Sequence, residues 1–238
     1  MEFVDSALSL IYPQQCAVCT GAVEHRSDGC ACSACWAATT VFTGGEMLCE
    51  KCGSYFGPQA APVAVRCHQC DEHHYDCAFA TGTYEKALSA SILRLKSSPS
   101  ISRRLSGLIR SAASRFPPVD MIVPVPLSKL RRAERGYNQA DLIANELSRP
   151  LRLAVDYHSL IRRLHTPIHR VGMDRKAREL TVKNAFEVKR PRLIEGRRIL
   201  LVDDVFTSGA TASSCAKALK KGGAATVTVF TIARAVMR

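Results

Sequence analysis

Hydrophobic and polar residues follow two different periodicities in the C-terminal two thirds of the chain. Continuous apolar runs, such as 121–123 and 199–202, are typical of strands buried on both faces of a parallel sheet. Apolar residues at helical spacing, as in 140–147 and 212–221, predict amphipathic helices that cover such a sheet. Because the two patterns alternate, the sequence predicts an α/β fold.

The order of predicted elements from Phe79 onward is strand, two helices, strand, helix, strand, basic segment, strand, loop, helix and strand. The further predicted elements are helices at 85–96 and about 100–114, and strands at 151–155 and 225–232. This order predicts a mostly parallel sheet flanked by helices. Ligands of such sheets bind beyond the carboxyl ends of the strands, so we expect residues 124–127 and 203–211 to converge on one site.

Length and composition restrict the class of protein. The chain has 238 residues, 47% of them hydrophobic, which favours one or two domains with a buried core over a mostly disordered protein. No run approaches the roughly 20 apolar residues of a membrane helix. The first five residues are acidic where a secretory signal is basic, so a cytoplasmic protein is expected.

Charge divides the chain into two unlike parts. Residues 1–82 carry 9 acidic and 3 basic residues, whereas residues 83–238 carry 12 acidic and 30 basic ones. We therefore predict an N-terminal helix with a cysteine-rich region at 1–78, and a larger domain at 79–238. The positive surplus favours phosphate-bearing partners, namely nucleotides, diphosphates or nucleic acid, with a generically basic surface as the alternative.

Ten of the 11 cysteines lie between Cys16 and Cys77, and eight of them form four Cys-x-x-Cys pairs. The pairs are Cys16/Cys19, Cys32/Cys35, Cys49/Cys52 and Cys67/Cys70. Two intervening residues let both thiolates of a pair reach one tetrahedral ion, so eight ligands predict two structural zinc sites. A disulfide framework and a redox Cys-x-x-Cys are weaker alternatives, because the cysteine count is odd and no βαβ pattern surrounds the pairs.

The sequence leaves open which pairs share an ion. In a sequential arrangement the first and second pairs bind one ion, and the third and fourth pairs bind the other. In an interleaved arrangement, pairs that are not neighbours in sequence bind the same ion. We favour the sequential arrangement, because each short loop then closes at a low cost in entropy. Cys30 and Cys77 are spare, as are the neighbouring histidines His25, His68, His73 and His74, and any of them can substitute as a ligand.

Two carboxylates, Asp203 and Asp204, follow the apolar run at 199–202. After them come Val205-Phe206-Thr207-Ser208-Gly209-Ala210-Thr211 and a helical stretch. A loop of small and hydroxyl residues before a helix presents N–H and O–H donors to an anion. The acid pair suits the vicinal hydroxyls of a ribose or a Mg²⁺ ion. An ordinary strand, turn and capped helix is the alternative.

The stretch 200–211 resembles the signature of the type I phosphoribosyltransferases, which bind phosphoribosyl diphosphate (PRPP). The resemblance implies that the acid pair Asp203 and Asp204 is catalytic and contacts the ribose hydroxyls. It also implies that the loop from Val205 to Thr211 holds the 5′-phosphate.

The segment VPVPLSKLRRAERGYNQADLIA, residues 123–144, closely resembles the hallmark of the ComF family, which includes GntX-like proteins. The order of motifs matches along essentially the whole chain. The resemblance implies a type I phosphoribosyltransferase core with a small N-terminal zinc-binding region. It implies pyrophosphate contacts at Pro124-Val125-Pro126-Leu127, and further PRPP contacts at Lys96 and Arg135. Asn138 and Gln139 belong to the family's RGxNQ motif, whose role the sequence does not show.

The basic segment, residues 162–186, departs from the family pattern at His169 and Thr181. The resemblance implies that it forms the hood over the active site, so acceptor recognition is expected to differ here. Its cations are candidate nucleic-acid contacts, namely Arg162, Arg163, Arg170, Arg175, Lys176 and Arg178.

The resemblance implies a role in DNA uptake and processing during natural transformation. The expected chemistry is a Mg²⁺-dependent transfer of phosphoribose from PRPP to an acceptor that the sequence does not name. The alternative is a zinc-containing protein that binds single-stranded DNA in response to PRPP without turnover. The implied partners are PRPP, DNA and other competence proteins such as a helicase.

Overall fold

The computed structural model describes residues 14–57, 66–67, 70–163 and 185–235. The N-terminal helix expected within residues 1–78 and most of the basic segment lie outside the described residues. Seven α-helices are described, namely α1 (Ser33–Ala37), α2 (Lys86–Arg94), α3 (Arg103–Ala112), α4 (Lys129–Arg135), α5 (Gln139–Leu151), α6 (Pro191–Ile194) and α7 (Ala210–Lys221). The described strands are β1 (Cys77–Thr83), β2 (Met121–Pro124), β3 (Leu160–Arg162), β4 (Phe186–Val188), β5 (Arg198–Phe206) and β6 (Thr226–Arg234).

A parallel sheet with strand order β1-β6-β5-β2 forms the centre of the molecule. Strand β5 pairs with β6 from Arg198↔Thr226 to Phe206↔Arg234, and with β2 from Met121↔Ile199 to Pro124↔Val202. The predicted mostly parallel sheet flanked by helices is therefore confirmed. Strands β3 and β4 form a separate antiparallel pair.

Side chains alternate between the two faces of the sheet, and each face has its own core. Leu200, Val202 and Phe230 pack with apolar residues of α2, α3 and α5. Leu201 and Val229 point the other way and pack against α7. Full burial of one such aliphatic side chain contributes about 1.5–3 kcal/mol to stability, so continuous apolar strands require cover on both sides.

Three predicted element boundaries are wrong. The expected strand at 151–155 is absent, because α5 continues to Leu151 and only Val155 bridges Ile122. Strand β5 does not end before the acid pair but continues to Phe206, since its neighbour β6 extends alongside it. The basic stretch after residue 127, which the sequence predicts to be a loop, is a helix, α4, that Ser128 caps by accepting a hydrogen bond from the Arg131 N–H.

None of the helices in the described ranges combines the length and apolar character that crossing a membrane requires.

Candidate functional site

The eight paired cysteines form two clusters, and their sharing is sequential. The first cysteine cluster comprises Cys16, Cys19, Cys32 and Cys35, and the second comprises Cys49, Cys52, Cys67 and Cys70. In each cluster the four sulfur atoms lie within 4.8 Å of one another. All 11 cysteines are free thiols, which speaks against the disulfide alternative. Cys30 lies beside Ser91 and Cys77 beside Thr228, so neither spare cysteine joins a cluster.

Backbone N–H groups point at one sulfur in each cluster. Burial raises the pKa of Cys16, but hydrogen bonds from the backbone of Cys32, Cys19 and Val18 outweigh it and lower the pKa to about 6. The pKa of Cys49 is likewise lowered to about 6, because N–H groups of Cys52, Cys67 and Lys51 outweigh burial. Burial instead raises the pKa of Cys35, Cys52 and Cys70, and zinc binding displaces the protons of such thiols. Because four sulfur atoms converge in each cluster, each cluster fits a zinc ion held by four sulfur ligands.

A cleft of about 460 Å³ opens at the carboxyl ends of β2 and β5. Its lining includes ten residues predicted from the sequence to contact PRPP, namely Lys96, Val125, Pro126, Leu127, Arg135, Asp203, Asp204, Val205, Thr207 and Thr211. The structure therefore brings the acid pair, the loop at 207–211 and the loop after β2 together, at the edge of the sheet where parallel strands end.

The other predicted contacts lie behind this lining. Pro124 is buried in β2, and Phe206 is buried with its ring edge-on to Tyr75. Ser208 accepts a hydrogen bond from the Ala210 N–H. Gly209 is the N-cap of α7 with a φ of 79°, a left-handed conformation that glycine adopts without strain. These residues and Ala210 are not among those that line the cleft.

The acid pair has unusual electrostatics. Asp203 accepts a hydrogen bond from the Asp204 N–H at 2.9 Å. Burial and the neighbouring Asp204 carboxylate raise the pKa of Asp203 well above its usual range, while Arg162 opposes the shift. A cation entering the cleft relieves this repulsion, and oxygen ligands of this kind fit Mg²⁺.

Four cations face the acids across the cleft, namely Lys96, Arg131, Arg135 and Arg162. Arg131 is a cleft residue that sequence reasoning missed, because charge alone does not show which side of a basic stretch faces a site. Arg162, which the sequence predicts as a nucleic-acid contact, lines the cleft with its guanidinium over the Phe186 ring at 5.4 Å.

The RGxNQ side chains Arg135, Asn138 and Gln139 form hydrogen bonds that connect α5 to the segments lining the cleft. Arg135 Nη1 donates to Gln139 Oε1 at 3.1 Å, and Gln139 Nε2 donates to the Leu95 carbonyl at 3.2 Å, next to Lys96. Asn138 Nδ2 donates to the Val125 carbonyl at 3.0 Å. Its side-chain oxygen also accepts from the Ala140 N–H and so caps α5. The motif therefore positions both Arg135 and the loop after β2.

Among the candidate nucleic-acid contacts, Arg163 is exposed and forms an ion pair with Glu187. Four more, Arg170, Arg175, Lys176 and Arg178, lie outside the described residues. The exposed positions of α4 add further basic side chains beside the cleft, including Lys129 and Arg132.

Both the cysteine-rich N-terminal region and the chain as a whole are similar to known proteins. Residues 7–75 match the double zinc ribbon domain family. Competence protein F of Haemophilus influenzae is 32% identical in a 234-residue alignment that covers 93% of this chain and 97% of that protein. DNA utilization protein YhgH of Shigella flexneri is 32% identical over 85% of this chain and 89% of its own. Competence protein ComFC of Bacillus subtilis is 40% identical over 48% of this chain and 44% of its own.

Among solved structures, the glutamine PRPP amidotransferase from B. subtilis in complex with ADP and GMP is similar to 55% of this chain and 27% of its own. Its TM-score is 0.37 and its sequence identity 17%. The full-length match to competence protein F, together with the double zinc ribbon and the parallel sheet, identifies the family: the chain belongs to the competence protein F (ComF) family.

Proposed function

We propose that this protein binds PRPP with Mg²⁺ in the cleft and transfers its phosphoribosyl group to an acceptor during the handling of DNA in natural transformation. The observation that carries the proposal is the single cleft in which the acid pair, the loop at 207–211 and four cations meet. A volume of about 460 Å³ is within the usual range of small-molecule sites.

Each part of the cleft suits one part of PRPP. The Thr207 and Thr211 side chains and the N-terminal turn of α7 supply donors for the 5′-phosphate. The Asp203 and Asp204 carboxylates accept hydrogen bonds from the two ribose hydroxyls. The diphosphate then extends toward Lys96, Arg131 and Arg135, whose charges oppose its own.

The chemistry this arrangement favours is displacement at C1 of the ribose. The nucleophilic atom of the acceptor bonds to C1 while the bond from C1 to the diphosphate oxygen breaks, and its electron pair leaves with pyrophosphate. The proton of the acceptor passes to solvent. Mg²⁺ bound with PRPP neutralises charge on the leaving group. The side chains themselves act by positioning and electrostatics, with Asp203 and Asp204 near the charge that develops on the ribose.

The cellular setting comes from the relatives, which are named for competence and for DNA utilization. We place the activity in the cytoplasm, where eight zinc-binding thiols persist in reduced form. We infer that other competence proteins, such as a helicase, act together with this protein on the DNA.

Calorimetric titration of PRPP with Mg²⁺ into the zinc-loaded protein tests the proposal. Wild type is expected to bind saturably. Charged hydrogen bonds contribute about 1.5–3 kcal/mol each, so Asp203→Asn/Asp204→Asn is expected to weaken binding at least about 100-fold. Asp120→Asn is the matched control, because this half-buried acid pairs with Arg198 just before β2 begins and does not line the cleft. No binding by folded wild type would contradict the proposal, and pyrophosphate release with candidate acceptors then tests turnover.

A second candidate function is binding of single-stranded DNA in response to PRPP without turnover. The observation that favours it is the basic helix α4, which lines the cleft with Arg131 and Arg135 and presents Lys129 and Arg132 to solvent. A labelled single-stranded oligonucleotide should then bind with a steep salt dependence and change affinity when PRPP is added. Pyrophosphate release would exclude this candidate, and salt-insensitive or absent DNA binding would do the same.

A further inference from the structure

Arg234, the last residue of β6, is a buried cation whose partners lie in the second cysteine cluster. Only 5% of the residue is exposed. Its Nη1 donates to the Cys52 carbonyl oxygen at 2.6 Å, and its Nη2 donates to the Cys52 Sγ at 3.3 Å. A buried guanidinium requires a nearby negative charge. Four thiolates around one Zn²⁺ leave a net negative charge, so a metal-loaded second cluster supplies the counter-charge.

The Arg234 guanidinium also contacts the ring of Phe206, the last residue of β5. Its Cζ is 4.3 Å from the centroid of the Phe206 ring, within the range of a cation–π contact. Phe206 immediately precedes the loop at 207–211, and Tyr75 meets its ring edge-on with 5.7 Å between centroids. Arg234 therefore connects the zinc ligand Cys52 to the residue from which the loop begins.

The loop in turn packs on this ring. A Cβ placed on Gly209 would lie 2.7 Å from Phe206 Cζ and 2.8 Å from His73 Cε1, so the loop backbone touches both rings. His74 N–H donates to Ser213 Oγ in the first turn of α7 at 3.2 Å. On the cleft side, Tyr84 N–H donates to the Arg234 carbonyl at 2.7 Å, and Tyr84 itself lines the cleft. The second cluster thus supports the loop at 207–211 from behind.

We propose that Arg234 is a positioning residue through which zinc in the second cysteine cluster holds the loop at 207–211 in its anion-binding conformation. The inference rests on the proposed function, because zinc and PRPP are the two ligands it couples. Zinc loss frees the four sulfur ligands from one another, so Cys52 no longer fixes Arg234. Phe206 is then released, and Gly209 loses its packing surface. Coupling of this kind is reciprocal, so PRPP must tighten zinc binding by the factor by which zinc tightens PRPP binding.

The test is an equilibrium competition for zinc between the full-length protein and a zinc-selective chelator, with and without PRPP and Mg²⁺. One of the two zinc ions is expected to require at least about fivefold more chelator when PRPP is present, which is the low end of known site-to-site couplings. Arg234→Met keeps the volume of the side chain but removes the fork of donors. It should abolish the PRPP-dependent shift and weaken PRPP binding by a similar factor.

Two further variants keep the test decisive. Phe206→Leu leaves the Arg234 contacts to Cys52 in place, so zinc should stay tightly bound while the PRPP-dependent shift is lost, even if Arg234→Met fails to fold. Arg115→Met is the control, because the half-buried Arg115 also donates to a backbone carbonyl, that of Ala80, but lies outside the second cysteine cluster. If wild type binds PRPP but both zinc ions compete identically with and without it, the coupling is wrong and the proposed function stands. If wild type does not bind PRPP, the proposed function itself fails.

Discussion

The two cysteine clusters have the same ligands and the same spacing within each pair, but they lie in different cores. The first packs with Trp36, Leu105 and Ile109 on the face of the sheet that α3 covers, and its Cys19 is exposed. The second shares a core with Phe206, Ala212 and Cys215 beneath the loop at 207–211. The repeated Cys-x-x-Cys pairs therefore form two clusters with different surroundings. The first packs against helix α3, and the second lies beneath the loop that borders the cleft.

Side chains near the first cluster connect it to helix α3. Arg104 of α3 lies over the Trp36 ring at 5.1 Å and pairs with Asp28 at 3.2 Å. The Trp36 indole donates to the Asp28 carbonyl at 3.0 Å. These contacts tie the first cluster to the outer helices, whereas the contacts of the second pass through Arg234 to the loop. Identical metal chemistry thus supports two different roles, which distinct perturbations can separate.

The largest difference is expected between Cys67→Ser and Cys19→Ser, which each remove one ligand from a less buried position of its cluster. Cys67→Ser should weaken PRPP binding by about 10- to 100-fold, because the loop loses its support. Cys19→Ser should leave the PRPP Kd within about twofold, as expected for sites that do not share contacts. Elemental analysis determines the zinc content of each variant, and calorimetric titration determines its Kd for PRPP. Equal losses of PRPP affinity would remove the distinction between the clusters.

Gly209→Ala tests the loop itself. The new Cβ would meet Phe206 and His73 at under 3 Å in a backbone conformation with positive φ, so stability should fall by about 1–3 kcal/mol and PRPP affinity about tenfold. Gly107→Ala is the matched control, since Gly107 lies exposed in α3 with open space around it. It should raise stability by about 0.5–1 kcal/mol. Chemical denaturation measures both, and a neutral Gly209→Ala would show that the packing is unimportant.

Gln139→Ala tests the side of the cleft formed by Lys96 and Arg135, opposite the loop at 207–211. Loss of its hydrogen bonds to Arg135 and Leu95 should raise the PRPP Kd about three- to tenfold, with both zinc ions retained. Arg132→Ala is the control, because this exposed arginine pairs at the surface with Asp141. Zinc loss in Gln139→Ala would mean that the two walls are not independent.

The smallest effect concerns pH. The folded-state pKa of Asp203 is raised, so its own contribution to the stability of the unliganded protein should be full below the unfolded pKa of about 3.9 and be lost as pH rises through the folded value. PRPP binding with Mg²⁺ needs the carboxylate and should tighten over the same window. Thermal unfolding of wild type and Asp203→Asn across a pH series measures the decline. A decline that persists unchanged in Asp203→Asn would assign it to another group.

Much of the fold and the chemistry was predictable because both depend on local patterns. Apolar runs gave the strands, and the spacing of cysteines gave two sequential metal sites, since a short loop closes easily. The strand expected at 151–155 is absent because α5 takes Leu151 and ends at a left-handed Arg152, which leaves only Val155 to bridge Ile122. The role of Arg234 had no local signal. It ends an ordinary apolar strand, and it meets Phe206 and Cys52, both far away in sequence, only in the folded chain.

Amide hydrogen exchange of the loop at 207–211 is the measurement that most directly tests whether the second cluster supports the cleft. It needs no PRPP, and it compares wild type, Cys67→Ser and Cys19→Ser, each with its zinc content determined. Exchange across this loop and the first turn of α7 should accelerate at least about tenfold in Cys67→Ser, because local opening becomes easier. It should stay at the wild-type rate in Cys19→Ser. Unchanged exchange in Cys67→Ser after loss of its zinc would contradict a supporting role for the second cluster.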